Sequence, residues 1–115
     1  LAKRMSEHDT RCILLNTGWT GGPHGVGSRM SLKHTRTLLN AALSGDFDET
    51  ALATQPILNL RMPTSCEGVP DEILNPRETW DDPSEYDVQA TKLREMFRDN
   101  YKKKNFADLG IAAVM

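Results

Sequence analysis

The apolar positions between 31 and 44 recur at the three- and four-residue spacing of an amphipathic helix. The residues that share this stripe are Leu32, Thr35, Leu39, Ala42 and Leu43. Ser31 has the side chain of an N-cap, and Gly45 suits the left-handed residue that ends a helix. The pattern predicts a helix over about 31–44 that buries this stripe. The side chains expected to face solvent are Lys33, His34 and Arg36.

A second helix is predicted over about 83–101. Asp82 can act as N-cap, Pro83 suits the first helical position, and Glu85 completes an arrangement like a capping box. The stripe expected to form its core or interface face consists of Tyr86, Ala90, Leu93, Phe97 and Tyr101. Three lysines at 102–104 follow and complement the negative end of the helix dipole.

Two short segments have the pattern of strands. The run over 11–16 contains four consecutive apolar residues, which is typical of a central strand covered on both faces. The segment over 57–62 alternates and would place Leu58, Leu60 and Met62 on one face. Strands interspersed with helices indicate an α/β protein with a parallel or mixed sheet.

The remaining segments give weaker signals. Positions 1–8 suggest a helix that starts without Met, so we expect the chain to be a segment of a longer protein. Prolines punctuate an irregular segment after 63. Its expected core anchors are Val69, Ile73, Leu74 and Trp80. The stretch over 106–115 is expected to be a tail docked through Phe106, Leu109 and Ile111.

Five of the eight glycines lie between Gly18 and Gly27. An apolar run, a glycine loop and a helix start, in that order, are typical of a pocket for phosphates or a nucleotide, although a mobile surface loop has the same composition. The loop lacks lysine, and neither G-x-x-x-x-G-K-[ST] nor G-x-G-x-x-G is present. Trp19 could either stack on a ligand ring or pack against the sheet.

Composition narrows the function classes. The net charge is −2 and acidic and basic residues occur in both halves, which argues against a protein that coats nucleic acid or an anionic membrane. Cys12 and Cys66 have no zinc-ligand spacing, and they could form one disulfide or, as we expect, remain two thiols. We therefore expect no metal site, no catalytic residue and no complete active site in this chain.

The glycine loop and the helix after it resemble one enzyme family. The stretches Asn16–Gly22 and Gly25–Arg36 are similar to the C-terminal part of ATP-dependent phosphoenolpyruvate carboxykinase. Further motifs agree, namely Pro63-Thr64, Gly68-Val69-Pro70, Ile73-Leu74-Asn75-Pro76-Arg77, Thr79-Trp80 and the last helix. The resemblance implies that residues 1–115 form the C-terminal part of an α/β nucleotide-binding domain.

The resemblance also implies a reaction and its cofactors. The family converts oxaloacetate and ATP into phosphoenolpyruvate, CO₂ and ADP in gluconeogenesis, with Mg²⁺ and Mn²⁺, in the cytoplasm. Its P-loop, metal ligands and oxaloacetate-binding arginines lie upstream of the matching segment, so the isolated chain is expected to be inactive. No nucleic-acid or membrane partner is implied.

The family's G-x-x-R-[IM]-S-[IL]-K-x-T-R stretch assigns three ATP contacts to this chain. They are Arg29, Met30 and Thr35, on the adenine side of the nucleotide. Ser28 stands where the family usually has lysine, and Asn75 replaces a common aspartate. The alternative hypothesis is a non-enzymatic α/β module for dimerisation or protein contact, which would use the stripe from Tyr86 to Tyr101.

Overall fold

The structure, a computed structural model, describes residues 2–10, 12–47 and 51–112. Its helices are α1 (Ala2–Glu7), α2 (Leu32–Ser44), α3 (Asp71–Leu74) and α4 (Pro83–Lys103), with 3₁₀ turns at Pro76–Thr79 and Phe106–Leu109. Its strands are β1 (Trp19–Thr20), β2 (Ser28–Arg29), β3 (Leu52–Thr54) and β4 (Arg61–Pro63). The strands form two antiparallel pairs, β1 with β2 and β3 with β4. Helices combined with small strand pairs confirm the α/β class.

Helix α2 has the predicted bounds and the predicted caps. The Ser31 hydroxyl accepts a hydrogen bond from the His34 amide at 3.2 Å, and Gly45 ends the helix with a φ of 78°. The predicted buried stripe is wrong by about one residue, because Leu38 and Ala41 are the buried positions. The leucines that the stripe placed inside, Leu32, Leu39 and Leu43, are exposed.

Helix α4 extends two residues beyond the predicted end. Asp82 caps it by accepting hydrogen bonds from the Ser84 amide at 2.8 Å and the Ser84 hydroxyl at 2.7 Å. These bonds hold the pKa of the Asp82 carboxyl below its usual range. Ala90 is the buried position of its stripe, whereas Leu93 and Phe97 are exposed.

The predicted strand over 57–62 is wrong, because most of it forms the turn of a hairpin. Strands β3 and β4 pair with Ala53 opposite Met62. Gln55 organises the turn: its side-chain oxygen accepts from the amides of Ile57 and Leu58, and its own amide donates to the Leu60 carbonyl at 2.8 Å. A side chain that satisfies two turn amides favours this bend over a continuous strand.

The predicted central strand over 11–16 is also not observed. Residues 12–17 have no regular secondary structure, and Arg11 lies outside the described residues. The Leu14 side chain is 85% exposed, and Ile13 and Leu15 are also exposed. A central strand has a neighbouring strand at each of its two edges, and no described strand pairs with this run.

The segment between β4 and α4 is held by several local contacts. Val69 is buried, as predicted, and forms a short bridge with Cys66. Trp80 packs edge-on against Tyr86 of α4, with ring centroids 5.7 Å apart. Arg77 makes two parallel hydrogen bonds to Asp87, at 2.9 and 3.0 Å. These contacts fasten the irregular segment to the first turns of α4.

The C-terminal stretch folds back on the end of α4. Phe106 packs against Tyr101 with ring centroids 5.9 Å apart, and the Tyr101 hydroxyl donates to the Ile111 carbonyl. Docking through Phe106 is as predicted, but Leu109 and Ile111 are exposed. The end of the predicted tail, 113–115, lies outside the described residues, as do residues 48–50 of the link after α2.

The core is small for a chain of this length. The buried apolar side chains of the described residues are Leu38, Ala41, Val69 and Ala90. Both cysteines are free thiols. Across 2–10, 12–47 and 51–112, no helix combines the length and the apolar character that crossing a bilayer requires.

Candidate functional site

The glycine-rich stretch forms a tight antiparallel hairpin. Trp19 of β1 lies opposite Arg29 of β2, and Thr20 lies opposite Ser28. The loop between them spans 21–27. The amides of Val26 and Gly27 both donate to the Pro23 carbonyl at 3.0 Å, so they are used within the loop. The loop is therefore a turn that leads into Arg29, and it does not offer these amides to a phosphate.

Gly27 is required by the close approach of the two sides of the hairpin. A Cβ atom at this position would lie 2.5 Å from the Thr20 carbonyl oxygen and 2.8 Å from the Gly22 carbonyl oxygen. Both are backbone atoms, which cannot rotate away as the end of a side chain can. The Met30 amide donates to the Gly18 carbonyl at 3.0 Å, which continues the strand pairing beyond β2.

A hydrogen bond from Gly21 to Thr79 ties the hairpin to the segment before α4. The Gly21 amide donates to the Thr79 hydroxyl at 3.1 Å, and that hydroxyl donates to the Pro76 carbonyl at 2.7 Å. Gly21 has a φ of 78°, in the left-handed region that glycine tolerates. Thr79 therefore helps to fix the loop, a role that sequence reasoning did not assign to it.

The three residues assigned as ATP contacts lie at one junction between a strand and a helix. Arg29 ends β2, Met30 is the connecting residue, and Ser31 caps α2. The Thr35 amide makes the first backbone bond of the helix, to the Ser31 carbonyl at 3.0 Å. Arg29 is exposed, whereas Met30 and Thr35 are half-buried. The junction thus places a cation, an apolar side chain and a hydroxyl along one short segment.

Two of these side chains have free polar groups. Within the described part of the chain, the Arg29 guanidinium makes no ion pair and the Thr35 hydroxyl makes no hydrogen bond. The neighbouring Thr37 differs, because its hydroxyl donates to the Lys33 carbonyl at 3.0 Å. Arg29 and Thr35 are therefore available to a ligand.

The stretch of sequence that contains this junction carries charge of one sign. Acidic and basic residues occur in both halves of the chain, but positions 10–45 contain no Asp or Glu. The cations of this stretch are Arg11, Arg29, Lys33 and Arg36. The first turn of α2 has no acidic residue, so the positive end of the helix dipole adds to these charges. The lack of acidic residues over 10–45 is visible in the sequence, but the overall net charge of −2 conceals it.

Trp19 lies on the surface of the hairpin and is not a core residue. Its side chain is 51% exposed, and its ring contacts the edge of His24 with centroids 5.2 Å apart. As the register partner of Arg29, it shares a face of the ribbon with that side chain. Packing of Trp19 into a sheet, one of the two alternatives, is therefore not observed.

Two clefts lie away from this junction. A cleft of about 630 Å³ lies beside the second half of α2, and its lining residues include Asn40, Asp46, Cys66 and Glu67. Burial, followed by the charges of Asp46 and Glu67, raises the pKa of the Cys66 thiol. A smaller cleft of about 280 Å³ lies between the β3–β4 hairpin and α3. Neither is lined by Arg29, Met30 or Thr35.

Comparison with known proteins gives one consistent family. A family model described as phosphoenolpyruvate carboxykinase matches residues 1–72. The chain is similar to "Phosphoenolpyruvate carboxykinase (ATP)" of Caldanaerobacter subterraneus (48% identity over 90% of this chain) and of Pelobacter propionicus (50% over 90%). The protein of the same name from Geobacter metallireducens is 43% identical over the whole chain. The chain spans about a fifth of the length of these relatives.

Proposed function

The chain belongs to the phosphoenolpyruvate carboxykinase family, and we propose that it supplies the adenine-side ATP contacts of an ATP-dependent carboxykinase. In this proposal the complete enzyme converts oxaloacetate and ATP into phosphoenolpyruvate, CO₂ and ADP, in the cytoplasm and as part of gluconeogenesis. The observation that carries the proposal is the junction from Arg29 to Thr35, where a free guanidinium and a free hydroxyl lie beside the amino end of α2.

Each residue of the junction has a distinct task. The planar guanidinium of Arg29 stacks on the purine or donates to a ribose or phosphate oxygen. Met30 contributes its backbone groups and an apolar edge against the base. The Thr35 hydroxyl can both donate and accept, which suits a ring nitrogen or an exocyclic amino group. The absence of acidic residues from positions 10–45 favours an anionic ligand.

No residue of this chain is assigned to the chemical steps. Divalent metal ions, which we propose to be Mg²⁺ and Mn²⁺, neutralise phosphate charge when bound. Within 2–10, 12–47 and 51–112, no group of three or more His, Cys, Asp or Glu side chains could hold such an ion. We assign metal, phosphate and oxaloacetate binding to the rest of the enzyme, as the family resemblance implies.

A charge-removal experiment tests the assignment of Arg29. The test protein is a chimera in which this chain replaces the 116-residue segment that it matches in the Geobacter metallireducens relative. Arg29→Ala should weaken ATP binding roughly 10- to 100-fold, since charged hydrogen bonds contribute about 1.5–3 kcal/mol. The Michaelis constant for oxaloacetate should be nearly unchanged.

The matched control is Arg36→Ala, which removes an exposed cation of α2 that is not one of the three assigned contacts. It should change the ATP dissociation constant less than about threefold. Equal effects of the two substitutions would reduce Arg29 to a source of general positive charge, and an unchanged constant in Arg29→Ala would exclude it as a contact.

The alternative, a dimerisation module, has one observation in its favour. Helix α4 exposes Leu93, Met96 and Phe97 at helical spacing on one face. Size-exclusion chromatography of the isolated chain distinguishes the two functions. A dimer that is unaffected by ATP supports the module, whereas a monomer that binds ATP supports the carboxykinase.

A further inference from the structure

The hydroxyl of Thr79 makes two hydrogen bonds at once, and their directions are fixed by the partners. The Gly21 amide can only donate and does so to the Thr79 oxygen at 3.1 Å. The Pro76 carbonyl can only accept, so it takes the hydroxyl proton at 2.7 Å. A Cβ atom at Gly21 would lie 3.4 Å from the Thr79 carbonyl oxygen. The side chain and the backbone of Thr79 therefore both meet the loop, and a methyl group could not do the work of the hydroxyl.

The turn that carries Thr79 is fastened to α4. Arg77 makes two hydrogen bonds to Asp87, at 2.9 and 3.0 Å, and the Trp80 ring packs edge-on against Tyr86. These two contacts lie on either side of Thr79 in the sequence, two residues before it and one residue after it. The position of the Thr79 hydroxyl is therefore set by α4 and not by the hairpin.

A short, closely packed path connects Gly21 to Arg29. Gly21 follows Thr20, which lies opposite Ser28 in the hairpin, and Ser28 immediately precedes Arg29. A Cβ atom at Gly27 would lie only 2.5 Å from the Thr20 carbonyl oxygen, so the two sides of the hairpin are in contact at this point. A shift of Gly21 must therefore move β2 or open the hairpin.

The bond to Thr79 fixes the end of the hairpin that α2 does not hold. The amides of Val26 and Gly27 donate to Pro23, so these bonds lie inside the loop. At the other end, β2 runs from Arg29 into α2 within three residues. The hairpin is thus held by the chain at one end and by Thr79 at the base of its loop.

We propose that Thr79 is a positioning residue for ATP binding, which acts through Gly21 on the direction in which Arg29 leaves β2. The inference rests on the proposed function, because it takes Arg29 as an ATP contact. Thr79 need not touch the nucleotide. The hydroxyl is required, since one group must accept from one backbone and donate to another.

An isosteric substitution in the chimera tests this role. Thr79→Val keeps the size of the side chain and removes the hydroxyl, so the Gly21 amide loses its acceptor. The ATP dissociation constant should rise about 5- to 20-fold. The kcat and the Michaelis constant for oxaloacetate should change less than about twofold. Thr79→Ser keeps the hydroxyl and should bind ATP within about threefold of the unsubstituted chimera.

Thr37→Val is the matched control. It also removes a threonine hydroxyl that donates to a backbone carbonyl, that of Lys33 at 3.0 Å within α2. It should leave the ATP dissociation constant within about twofold. The proposal is overturned by an equal effect at Thr37, by unchanged ATP binding in Thr79→Val, or by a failure of Thr79→Ser to restore binding.

A double-mutant cycle determines whether Thr79 acts through Arg29. In a chimera that already carries Arg29→Ala, adding Thr79→Val should weaken ATP binding by less than about twofold, because the side chain that Thr79 positions is gone. Additive effects would overturn the inference and leave the proposed function intact. If Arg29→Ala alone leaves ATP binding unchanged, the proposed function fails and the inference fails with it.

Hydrogen exchange at the Gly21 amide measures the contact without ATP. In the unsubstituted chimera this amide should exchange at least about 10-fold more slowly than in unstructured peptide, and Thr79→Val should remove the protection. A Gly21 amide that is unprotected in the unsubstituted chimera, or that stays protected in Thr79→Val, would overturn the inference. Neither result would affect the assignment of Arg29.

Discussion

At the residue scale, the junction depends on a few specific side-chain contacts. The Thr79 hydroxyl accepts from the Gly21 amide, and Ser31 caps the helix that begins one residue later. Trp19 and Arg29 face each other across the two-stranded ribbon. Small polar groups and glycines therefore set the direction in which Arg29 leaves the strand.

Replacing Gly27 by alanine should distort the hairpin. The new Cβ atom would lie within 3 Å of two backbone oxygens, so one side of the loop must shift. We expect a loss of about 1–3 kcal/mol in the free energy of unfolding and weaker ATP binding by the chimera. Urea denaturation and ATP titration measure these effects.

Gly18→Ala is the control for this substitution. Its Cβ atom would meet only the Asn16 side-chain oxygen, at 3.4 Å, which is ordinary contact. Gly18→Ala should therefore be tolerated. If Gly27→Ala is tolerated equally well, the close approach of the two sides does not exist in solution.

Single-residue features were the most predictable part of the structure. Ser31, Gly45 and Asp82 were all correctly predicted as helix-end residues, because capping depends on chemistry within about four residues. The sequence leaves open whether the Trp19 side chain is buried, because its burial depends on whether another element covers it. Thr79 was missed as an anchor, since its contact lies 58 residues away in sequence.

At the element scale, the β3–β4 hairpin is built around one buried amide side chain. Gln55 is 6% exposed. Its oxygen satisfies two turn amides, and its nitrogen donates to the Tyr86 hydroxyl at 3.4 Å. It therefore joins the hairpin to α4.

Gln55→Ala should destabilise the chain by about 1–3 kcal/mol, because two turn amides lose their acceptor. Thermal and urea unfolding followed by circular dichroism measure the loss. Gln89→Ala, on the exposed side of α4, is the matched control and should stay within about 0.5 kcal/mol. A loss no greater than that of the control would mean that the turn does not rely on Gln55.

The contact between Arg77 and α4 should make stability depend on acid pH. The Arg77 hydrogen bonds and charge lower the pKa of the Asp87 carboxyl. A carboxyl whose folded pKa is depressed contributes stability above its unfolded pKa of about 3.9 and loses it as pH falls through the folded value. Asp87→Asn should therefore lower Tm at pH 7 and reduce the drop in Tm between about pH 5 and pH 2. An unchanged Tm profile would show that the pair does not form.

Helices and strands were predictable where several local sequence signals agreed. They were not predictable where contacts with distant residues determine the structure. The bounds of α2 and α4 were close to those predicted, because a cap, a periodic pattern and a stop signal coincide. The predicted buried face of α2 differs from the observed one by one residue. Leu38 and Ala41 are buried, whereas several other leucines of the helix are exposed. The segment over 57–62 was predicted as a strand because its alternation hid the turn made by Gln55.

At the scale of the whole molecule, the described residues form a small core and leave much apolar surface exposed. The buried apolar side chains are few, and large apolar residues from Leu14 to Phe97 are exposed. The α/β class and the family were correctly predicted, because local motifs carry them. The central strand predicted over 11–16 is not observed, since no described strand pairs with this run.

Photolabelling of the chimera with 8-azido-ATP, followed by peptide mapping, tests most directly whether the junction binds the adenine. The azide is attached to the adenine ring, so the label marks residues around the base. We expect labelling between Arg29 and Thr35 that excess ATP prevents. Labelling that ATP prevents but that falls entirely outside residues 18–36 would contradict the claim that this junction holds the adenine.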